Sequence, residues 1–348
     1  MIKRFSNPVM PLGWREVAES TKTKLFPIIN MKNHPLFLFA GVVTCSLTLL
    51  TGAHAAGKQK TFAIIPKSIS ISFYNDVEKG CKEEGAKLGV NVIYTGPDTA
   101  DAAKQVQVLQ DLVSRGVDGF AVAPMDADSV IGVIDSAIKK GIKVITFDSD
   151  SAKSQRVCFV GTNNEQGGYE GGKAFAAAMP KGKFAVITGG LASLNHNQRG
   201  AGFRKALKEA GGEYTEIPGS PFPCNDDAPK SIQIIQDVLT RYPDLDGFFF
   251  SGGWPLFGAP EAYLRAMGKH LADIKTKKFV VVSFDTLPEE LKILKQGACN
   301  ALIGQRPYAM GVKSVDILND LTEGKTVPAV VDTGVDVVTS SNVDQFLK

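Results

Sequence analysis

The side chains of this chain that could do chemistry recur directly after its predicted strands or just before its predicted helices. They combine carboxylates, amides and cations with aromatic rings. The candidates are Lys67, Phe73, Tyr74, Asp148, Ser149, Asn197, Arg199, Asp226, Trp254, Asp285 and Gln305. Hydroxyl groups exchange hydrogen bonds with such polar groups, at about 1.5–3 kcal/mol each where one partner is charged. Aromatic rings cover the C–H face of a sugar ring. The set therefore predicts a binding site for a sugar or a similar polyol.

Each candidate alone also fits an ordinary structural role. Asp148 and Asp285 could cap helices, and Lys67 could be a solvated loop lysine. Arg199 could be the partner in a structural ion pair, and the aromatic pair at 73–74 could belong to the core. The recurrence at strand ends favours a site, because open α/β sheets bind ligands beyond the carboxyl ends of their strands.

Motifs for catalysis are missing from the sequence. It contains no GxxxxGK[ST], no GxGxxG after a strand and no GxSxG. The glycine-rich run 167–172 opens a predicted helix, where close helix packing explains it better than phosphate binding. Only His196 and His270 remain beyond the N-terminal leader, and no Cys or His cluster has metal-ligand spacing. We expect no metal and no cofactor. An exported enzyme is disfavoured, and turnover of a sugar by the purified protein would revive that alternative.

Short apolar runs alternate with helical patterns, which predicts an α/β protein with parallel sheets covered on both faces. The predicted strands are 61–66, 90–95, 118–123, 142–147, 183–188, 213–217, 246–250, 278–284 and 299–304. Between them, Val106, Leu109 and Val113 repeat at helical spacing, and Gly89 and Gly116 mark helix ends. The number of units is too high for one open sheet, so we expect two sheets of about four to six strands. The turn-rich stretch 157–168 predicts a crossing between them.

The N-terminal segment has the pattern of an export signal. An apolar run at 36–52 is followed by the small-x-small triplet 53–55. This pattern predicts cleavage after Ala55 and a mature periplasmic protein that begins at Ala56.

Several features of the leader leave alternatives open. Met31 precedes a compact charged segment and could be the true start, in which case residues 1–30 are an over-long gene prediction; they could also be a cytoplasmic tail. The apolar run is marginal for a membrane span of roughly 20 residues, so an uncleaved signal anchor is one alternative. A lipid on Cys45 is another, although the run continues past it.

The net charge and the length of the chain narrow the range of possible functions. A formal net charge of +3 provides no basic face for nucleic acid. No segment after the leader could span a membrane, and the remaining chain is long enough for two domains.

The cysteines after the leader are Cys81, Cys158, Cys224 and Cys299. Isolated thiols and disulfides both stay open, since export permits disulfides but a protein of this size does not need them.

Four stretches of the chain resemble the type I periplasmic binding proteins of the ribose-binding group, the solute receptors of sugar importers. The stretches are FAIIPKSISISFYNDVEKGCKEEGAKLG, VQVLQDLVSRGVDGFAVAPMDADSV, KVITFDSD and VGTNNEQGGYEGGKAF. The resemblance covers nearly the whole chain after the leader. Its motifs are specific for the family and much less so for the ligand.

The resemblance implies two doubly wound parallel-sheet lobes that are joined by a three-strand hinge. The three crossings would lie near 163–165, 305–307 and 332–334. The N-terminal lobe would comprise 58–163 with 306–332, and the C-terminal lobe 164–305 with 333–348.

The same resemblance implies roles for individual residues. Phe73 and Tyr74 correspond to the aromatic pair that stacks on one side of the sugar. Asp148 corresponds to the aspartate that binds hydroxyls from the N-terminal lobe. Asp285 and Gln305 match the carboxylate and the amide of the C-terminal lobe and the hinge.

Departures from the family pattern argue against ribose as the ligand. Asn197 stands where ribose binders have an arginine, with Arg199 two residues on. Gly252 replaces an asparagine, and we expect Trp254 to supply part of the aromatic wall. The loop 67–70 replaces an asparagine-rich loop. The loop at 66–67 and the stretch 148–150 after the fourth strand are more similar to members that bind rhamnose or a furanosyl quorum signal.

The resemblance implies an exported receptor that captures a monosaccharide or polyol and delivers it to the membrane permease of an ABC importer. We expect a monomer that neither makes nor breaks a covalent bond in its ligand and that binds no nucleic acid. The alternative is a ligand sensor for a chemoreceptor or a sensor kinase. The leader and the missing helix-turn-helix exclude a cytoplasmic repressor of related fold. The sequence leaves the identity of the sugar open.

Overall fold

The computed structural model describes residues 58–347 of the chain. The predictions about the leader, including cleavage after Ala55 and the role of Cys45, concern residues outside this described range. The strands in chain order are β1 (Thr61–Ile65), β2 (Asn91–Tyr94), β3 (Gly119–Val122), β4 (Lys143–Phe147), β5 (Phe159–Gly161), β6 (Lys181–Thr188), β7 (Glu213–Glu216), β8 (Phe222–Pro223), β9 (Gly247–Phe250), β10 (Val280–Phe284), β11 (Ala301–Gly304), β12 (Val330–Asp332) and β13 (Asp336–Thr339).

Helices connect these strands along the described part of the chain. They are α1 (Phe73–Leu88), α2 (Ala102–Arg115), α3 (Ile131–Lys139), α4 (Asn164–Ala178), α5 (Leu194–Glu209), α6 (Ala228–Arg241), α7 (Trp254–Phe257), α8 (Pro260–Met267), α9 (His270–Lys275), α10 (Pro288–Lys295) and α11 (Pro307–Thr322). A short 3₁₀ helix at Val343–Gln345 follows the last strand.

The strands form two sheets. The first is parallel, in the order β12-β5-β4-β3-β1-β2. The second has seven strands, in the order β13-β11-β10-β9-β6-β7, with β8 also paired to β6. Only β13 runs antiparallel to its neighbour within these pairings. The α/β fold class with two largely parallel sheets is confirmed. The second sheet is one strand larger than expected, because the short strands β8 and β13 add to it.

The chain passes between the sheets three times. The first passage joins β5 to α4, the second joins β11 to α11, and the third joins β12 to β13. Because α11 packs against α1, the chain returns to the first sheet after the second passage. We call β1–β5, α1–α3, α11 and β12 the first lobe, and the elements from α4 to β11 together with β13 the second lobe.

The central strands are apolar because helices cover both faces of each sheet. Every residue of β3, β9 and β11 is buried. The predicted helix ends also form as expected: Gly89 and Gly116 follow α1 and α2 with a φ of 68° each, a left-handed conformation that glycine adopts without strain.

The glycine-rich run 167–172 lies in α4, where it lets α5 approach closely. A Cβ atom on Gly168 would lie 2.0 Å from the carbonyl oxygen of Arg199, and one on Gly172 would lie 2.5 Å from that of Phe203. The interpretation of this run as a helix-packing surface is therefore confirmed.

The four cysteines of the described chain are buried and free. Burial raises the pKa of each thiol, which keeps it protonated and unreactive. Among residues 58–347, no helix is both long and apolar enough to cross a membrane. The same residues contain no group of His, Cys, Asp and Glu side chains that could hold a metal ion.

Candidate functional site

A polar cavity lies between the two lobes, at the carboxyl ends of both sheets. The first lobe lines it with Lys67, Ile71, Phe73, Tyr74 and Asp148. The second lobe lines it with Asn195, His196, Arg199, Asp226, Gly252, Trp254, Phe257 and Asp285, and Gln305 lies at the second passage between the lobes. The connections after β1, β4, β6, β8, β9, β10 and β11 therefore carry the residues of the site, as the position of these residues in the sequence predicts.

Nine of the eleven predicted site residues line this cavity. Ser149 does not, although it is fully buried next to Asp148 in the chain, and its hydroxyl has no hydrogen-bond partner. The expectation that Asn197 faces the cleft is wrong: its side chain is exposed, and its amide donates to the carbonyl of Leu191 at 2.9 Å. The reason is helical geometry, because Arg199 faces the cleft and a residue two positions earlier points away from it.

Arg199 is the central cation of the cavity and is only 2% exposed. Its guanidinium donates to Asn164 Oδ1 at 2.8 Å, to the carbonyl of Ser251 at 2.9 Å and to Gln305 Oε1 at 2.6 Å. It also lies 4.1 Å above the ring of Phe284. Burial lowers the pKa of Arg199, but an arginine remains charged in this range. The three bonds hold the guanidinium in one orientation.

Asp148 carries a carboxylate into the cavity from the first lobe. The hydroxyl of Tyr74 donates to its Oδ2 at 2.7 Å, and its Oδ1 lies 3.9 Å from Arg199 Nη2. Burial, with the nearby charge of Asp148, raises the pKa of Tyr74 well above its usual value. The phenol therefore stays protonated and serves as a donor.

Asp285 supplies a second carboxylate, this time from the second lobe. It accepts hydrogen bonds from Gln305 Nε2 at 2.7 Å and from the backbone N–H of Gly253 at 3.1 Å. Burial raises the pKa of Asp285, while Arg199 and the bond from Gln305 act in the opposite direction. A hydroxylated ligand would meet this group as an acceptor held by two donors.

Lys67, His196 and Asp226 form a charged cluster at one end of the cavity. Lys67 Nζ lies 3.2 Å from His196 Nε2, 3.3 Å from Asn195 Oδ1 and 4.0 Å from Asp226 Oδ2. Burial and the charge of Lys67 lower the pKa of His196 to about 4, so the imidazole is neutral at pH 7. Its Nδ1 can then donate to the carbonyl of Ser251 at 3.1 Å, which leaves Nε2 to accept from Lys67.

Asp226 stays ionised inside this cluster. Burial alone would raise its pKa, but the charge of Lys67 lowers the pKa of Asp226 to about 2. Its side chain is 4% exposed, and its Oδ2 has no hydrogen-bond partner. This oxygen is an acceptor that a ligand hydroxyl could use.

The three carboxylates of the cavity share an unusual backbone conformation. Asp148, Asp226 and Asp285 have φ angles of 57°, 57° and 77°. Non-glycine residues rarely adopt this left-handed region, and such residues cluster at binding and catalytic sites. The turns after the strands thus aim all three carboxylates into the cleft.

Asn195 and His196 are cavity residues that were not among the predicted site residues. They belong to the same run, 195–199, that supplied Arg199. Residues three and four positions before Arg199 share its face of a helix, and this spacing is the signal that identifies them. Ile71 and Phe257 also line the cavity, and no pattern in the sequence distinguishes them from core residues.

The cavity has a volume of only about 30 Å³, enough for one or two water molecules. The side chains fill the cleft and bond to one another across it. In this arrangement of the lobes the cavity is too small for a sugar ring.

Comparison with known proteins agrees with this architecture. Residues 62–326 match a family model described as a periplasmic binding protein domain. The chain belongs to the periplasmic binding protein family. Periplasmic binding proteins of this kind are the substrate-binding proteins of transport systems and not enzymes, so the predicted family, fold and general function are confirmed.

Similar periplasmic binding proteins span almost the same length of chain. The ribose import binding protein RbsB of Salmonella typhimurium is 28% identical over 302 residues, which cover 86% of this chain and 96% of that protein. The D-allose-binding periplasmic protein of Escherichia coli is 27% identical over 307 residues, 85% of this chain and 94% of that one. A solved ABC transporter solute-binding protein from Burkholderia graminis, in complex with D-arabinose, has a TM-score of 0.73 and 35% identity, covering 83% of this chain and 98% of its own.

Proposed function

We propose that this protein captures a monosaccharide or a similar polyol between its two lobes and delivers it to the membrane permease of an ABC-type importer. The observation that carries the proposal is the cavity itself, in which the carboxylates Asp148, Asp226 and Asp285 meet the cations Lys67 and Arg199. The names of its relatives, which mention ribose, allose and arabinose, support the same class of ligand.

Each part of a sugar finds a matching group in this cavity. The hydroxyls exchange hydrogen bonds with the carboxylates, with Arg199 and with the amide of Gln305. The rings of Phe73, Tyr74 and Trp254 cover the C–H face of the sugar. Micromolar affinity requires about −8 kcal/mol, which several charge-assisted hydrogen bonds supply together with two aromatic faces.

Binding couples to closure because the two lobes provide different contacts. We propose that the lobes are the moving domains, 58–163 with 306–332 and 164–305 with 333–348, and that the three passages between the sheets are the hinge. A ligand that touches both lobes binds the closed form better than the open one and therefore shifts the equilibrium towards closure. The closed form then presents a joined surface to the permease, and the ligand is handed over unchanged.

Export and cleavage complete the proposal. We propose that the leader is removed after Ala55 and that the mature receptor works as a periplasmic monomer. N-terminal sequencing of the exported protein tests this, with Ala56 as the expected first residue. A first residue at Cys45 would indicate a lipoprotein instead, and an intact leader would indicate a membrane-anchored receptor.

A thermal-shift screen over pentoses, deoxyhexoses, hexoses and inositols tests the binding function. We expect at least one sugar to raise the melting temperature, because a ligand at 100 times its Kd stabilises the folded state by about 2.7 kcal/mol. The double variant Asp148→Asn/Asp285→Asn serves as the matched control and should show no shift with that sugar. Isothermal titration then gives the Kd. A screen in which no polyol stabilises the wild-type protein would contradict the proposal.

A further inference from the structure

A second contact between the lobes lies outside the cavity, where the loop after β3 meets the loop before α5. The hydroxyl of Ser193 donates to the carbonyl of Met125 at 2.6 Å, and the N–H of Ala127 donates to the carbonyl of Ala192 at 3.2 Å. We call these four residues the clasp. None of them is among the residues that line the cavity, so a ligand there need not touch the clasp.

On the side of the second lobe, the clasp begins at the N-terminus of α5. Ser193 is the N-cap residue of this helix, a position where a serine side chain ordinarily accepts a hydrogen bond from a backbone N–H of the first turn. Its side chain makes no such bond and is directed across to the first lobe instead. Because α5 carries Asn195, His196 and Arg199, the clasp fixes the helix end from which these cavity residues project.

On the side of the first lobe, Gln105 braces the clasp. This fully buried side chain accepts from the N–H of Met125 at 2.9 Å and donates to the carbonyl of Pro66 at 3.0 Å. Pro66 directly precedes Lys67. One amide therefore positions both the clasp loop and the loop that carries the lysine of the cavity.

Ser151 also positions the clasp from within the first lobe, through a hydrogen bond. Its hydroxyl donates to the carbonyl of Ala127 at 2.6 Å, and its side chain is fully buried. Ser151 lies three residues after Asp148, in the loop that follows β4. The clasp is thus bonded to the loops that carry Lys67 and Asp148, and its geometry is set before the lobes meet.

We propose that the clasp holds the lobes together before a ligand arrives and thereby sets the affinity for every ligand by one common factor, with Ser193 as its positioning residue. This inference rests on the proposed function. The hydrogen bonds of the clasp are made by protein groups alone and form only when the lobes meet. Because the ligand-bound protein closes and makes the clasp whatever the ligand is, loss of the clasp weakens all ligands by one common factor.

The first test measures closure without any ligand, by the distance between two spin labels. Lys104→Cys and Lys230→Cys place labels at exposed positions on opposite lobes, and the four native cysteines of residues 58–347 are buried and do not compete. We expect the wild-type protein to populate a short distance. Ser193→Ala should lower the ratio of short to long distances about 2- to 10-fold, the effect of one hydrogen bond.

Three further variants separate closure from folding. Ser193→Thr keeps the hydroxyl and should restore the short distance. Ser193→Asp restores an N-cap for α5 but opposes the Met125 carbonyl with a carboxylate, so it should open the lobes without lowering the melting temperature. Ser114→Ala removes a serine hydroxyl that bonds only within α2 and should change nothing. Identical distance distributions in the wild type and all Ser193 variants would overturn the proposal.

The second test measures affinity for D-ribose, D-allose and D-arabinose by isothermal titration. For each sugar that binds, Ser193→Ala should raise the Kd by one common factor, which is at most the 10-fold change of the label-distance ratio, and leave the order of preference unchanged. Factors that differ between sugars would mean that Ser193 contacts the ligand, which would also overturn the proposal. If no sugar binds any variant, the proposed function fails, and the label distances still decide whether the clasp exists.

Discussion

Arg199 donates from Nη2 to Gln305 Oε1 at 2.6 Å, which joins the central cation of the cavity to a residue between the lobes. Gln305 lies at the second passage between the lobes. Thr162, at the first passage, donates to the same oxygen at 3.0 Å. A ligand that contacts Arg199 is therefore one hydrogen bond away from two of the three passages that we propose as the hinge.

This relationship predicts that Arg199→Lys is not a conservative change. A lysine cannot make three divergent bonds from one planar group, so Asn164 and Gln305 lose a donor. We expect a loss of about 2–4 kcal/mol in the free energy of unfolding and at least a 10-fold weaker Kd for the bound sugar. Urea unfolding and isothermal titration measure the two effects.

The matched control for this variant is Arg115→Lys. Arg115 is exposed and forms a surface ion pair with Asp111, so its replacement should change stability by less than about 0.5 kcal/mol. Wild-type affinity in Arg199→Lys would contradict the placement of this guanidinium at the ligand.

We expect the carboxylates of Asp148 and Asp285 to bind ligand hydroxyls without being essential for folding. Asp148→Ala and Asp285→Ala should each weaken sugar binding about 10- to 100-fold, the effect of one or two charge-assisted hydrogen bonds. Both variants should still unfold cooperatively. Asp128→Ala, at an exposed ion pair with Lys153, is the control and should bind as the wild type does. If neither Asp148→Ala nor Asp285→Ala alters the titration, the site is misplaced.

Most of the sheet architecture could be predicted because its strands are buried apolar runs. All nine predicted strands form. The strands that were missed are short and lie at edges or passages: β5 falls within the turn-rich stretch 157–168, and β12 is partly exposed, with Val330 55% exposed. An edge strand needs no continuous apolar run, so its sequence resembles that of a loop.

The residues that line the site were easier to predict than the hydrogen bonds between them. Strand ends indicated most of the cavity residues, but Asn197 was placed on the wrong side of α5. Lys67 bonds to Asn195, 128 residues away along the chain, and such a pair depends on how the lobes meet rather than on any local pattern. The left-handed conformation of the three aspartates is likewise set by the turns that hold them, although aspartate is among the residue types that adopt it most readily.

The close contact between α4 and α5 predicts a strong effect of adding one methyl group. In Gly168→Ala, the new Cβ would lie 2.0 Å from the carbonyl oxygen of Arg199, so α5 must move. We expect a loss of about 1–3 kcal/mol in stability from overpacking, together with weaker sugar binding because Arg199 shifts. Gly132→Ala, in α3, is the control: it has no neighbour within 4 Å and should stabilise the protein by about 0.5–1 kcal/mol. Equal stabilities of the two variants would contradict the close contact.

The buried histidine of the charged cluster makes stability depend on pH. The pKa of His196 is about 4 in the folded protein, lowered by burial and by Lys67 and Arg199 against the attraction of Asp226, and about 6.5 in an unfolded chain. Between these values the unfolded state binds more protons, so stability falls as the pH drops from 6.5 towards 4. The difference of 2.5 units corresponds to a loss of about 3 kcal/mol.

His196→Gln isolates this contribution, because glutamine does not titrate. Urea unfolding at pH 7.5, 6.5, 5.5 and 4.5 should show a shallower loss of stability in the variant than in the wild type. Asp226, whose folded pKa is about 2, loses its stabilising charge only below about pH 3.8 and stays outside this window. His270 is partly buried, and burial lowers its pKa as well, so His270→Gln is the matched control and should remove a smaller part of the slope. Parallel pH profiles for the wild type and His196→Gln would show that the imidazole takes up its proton as readily in the folded cavity as in the unfolded chain.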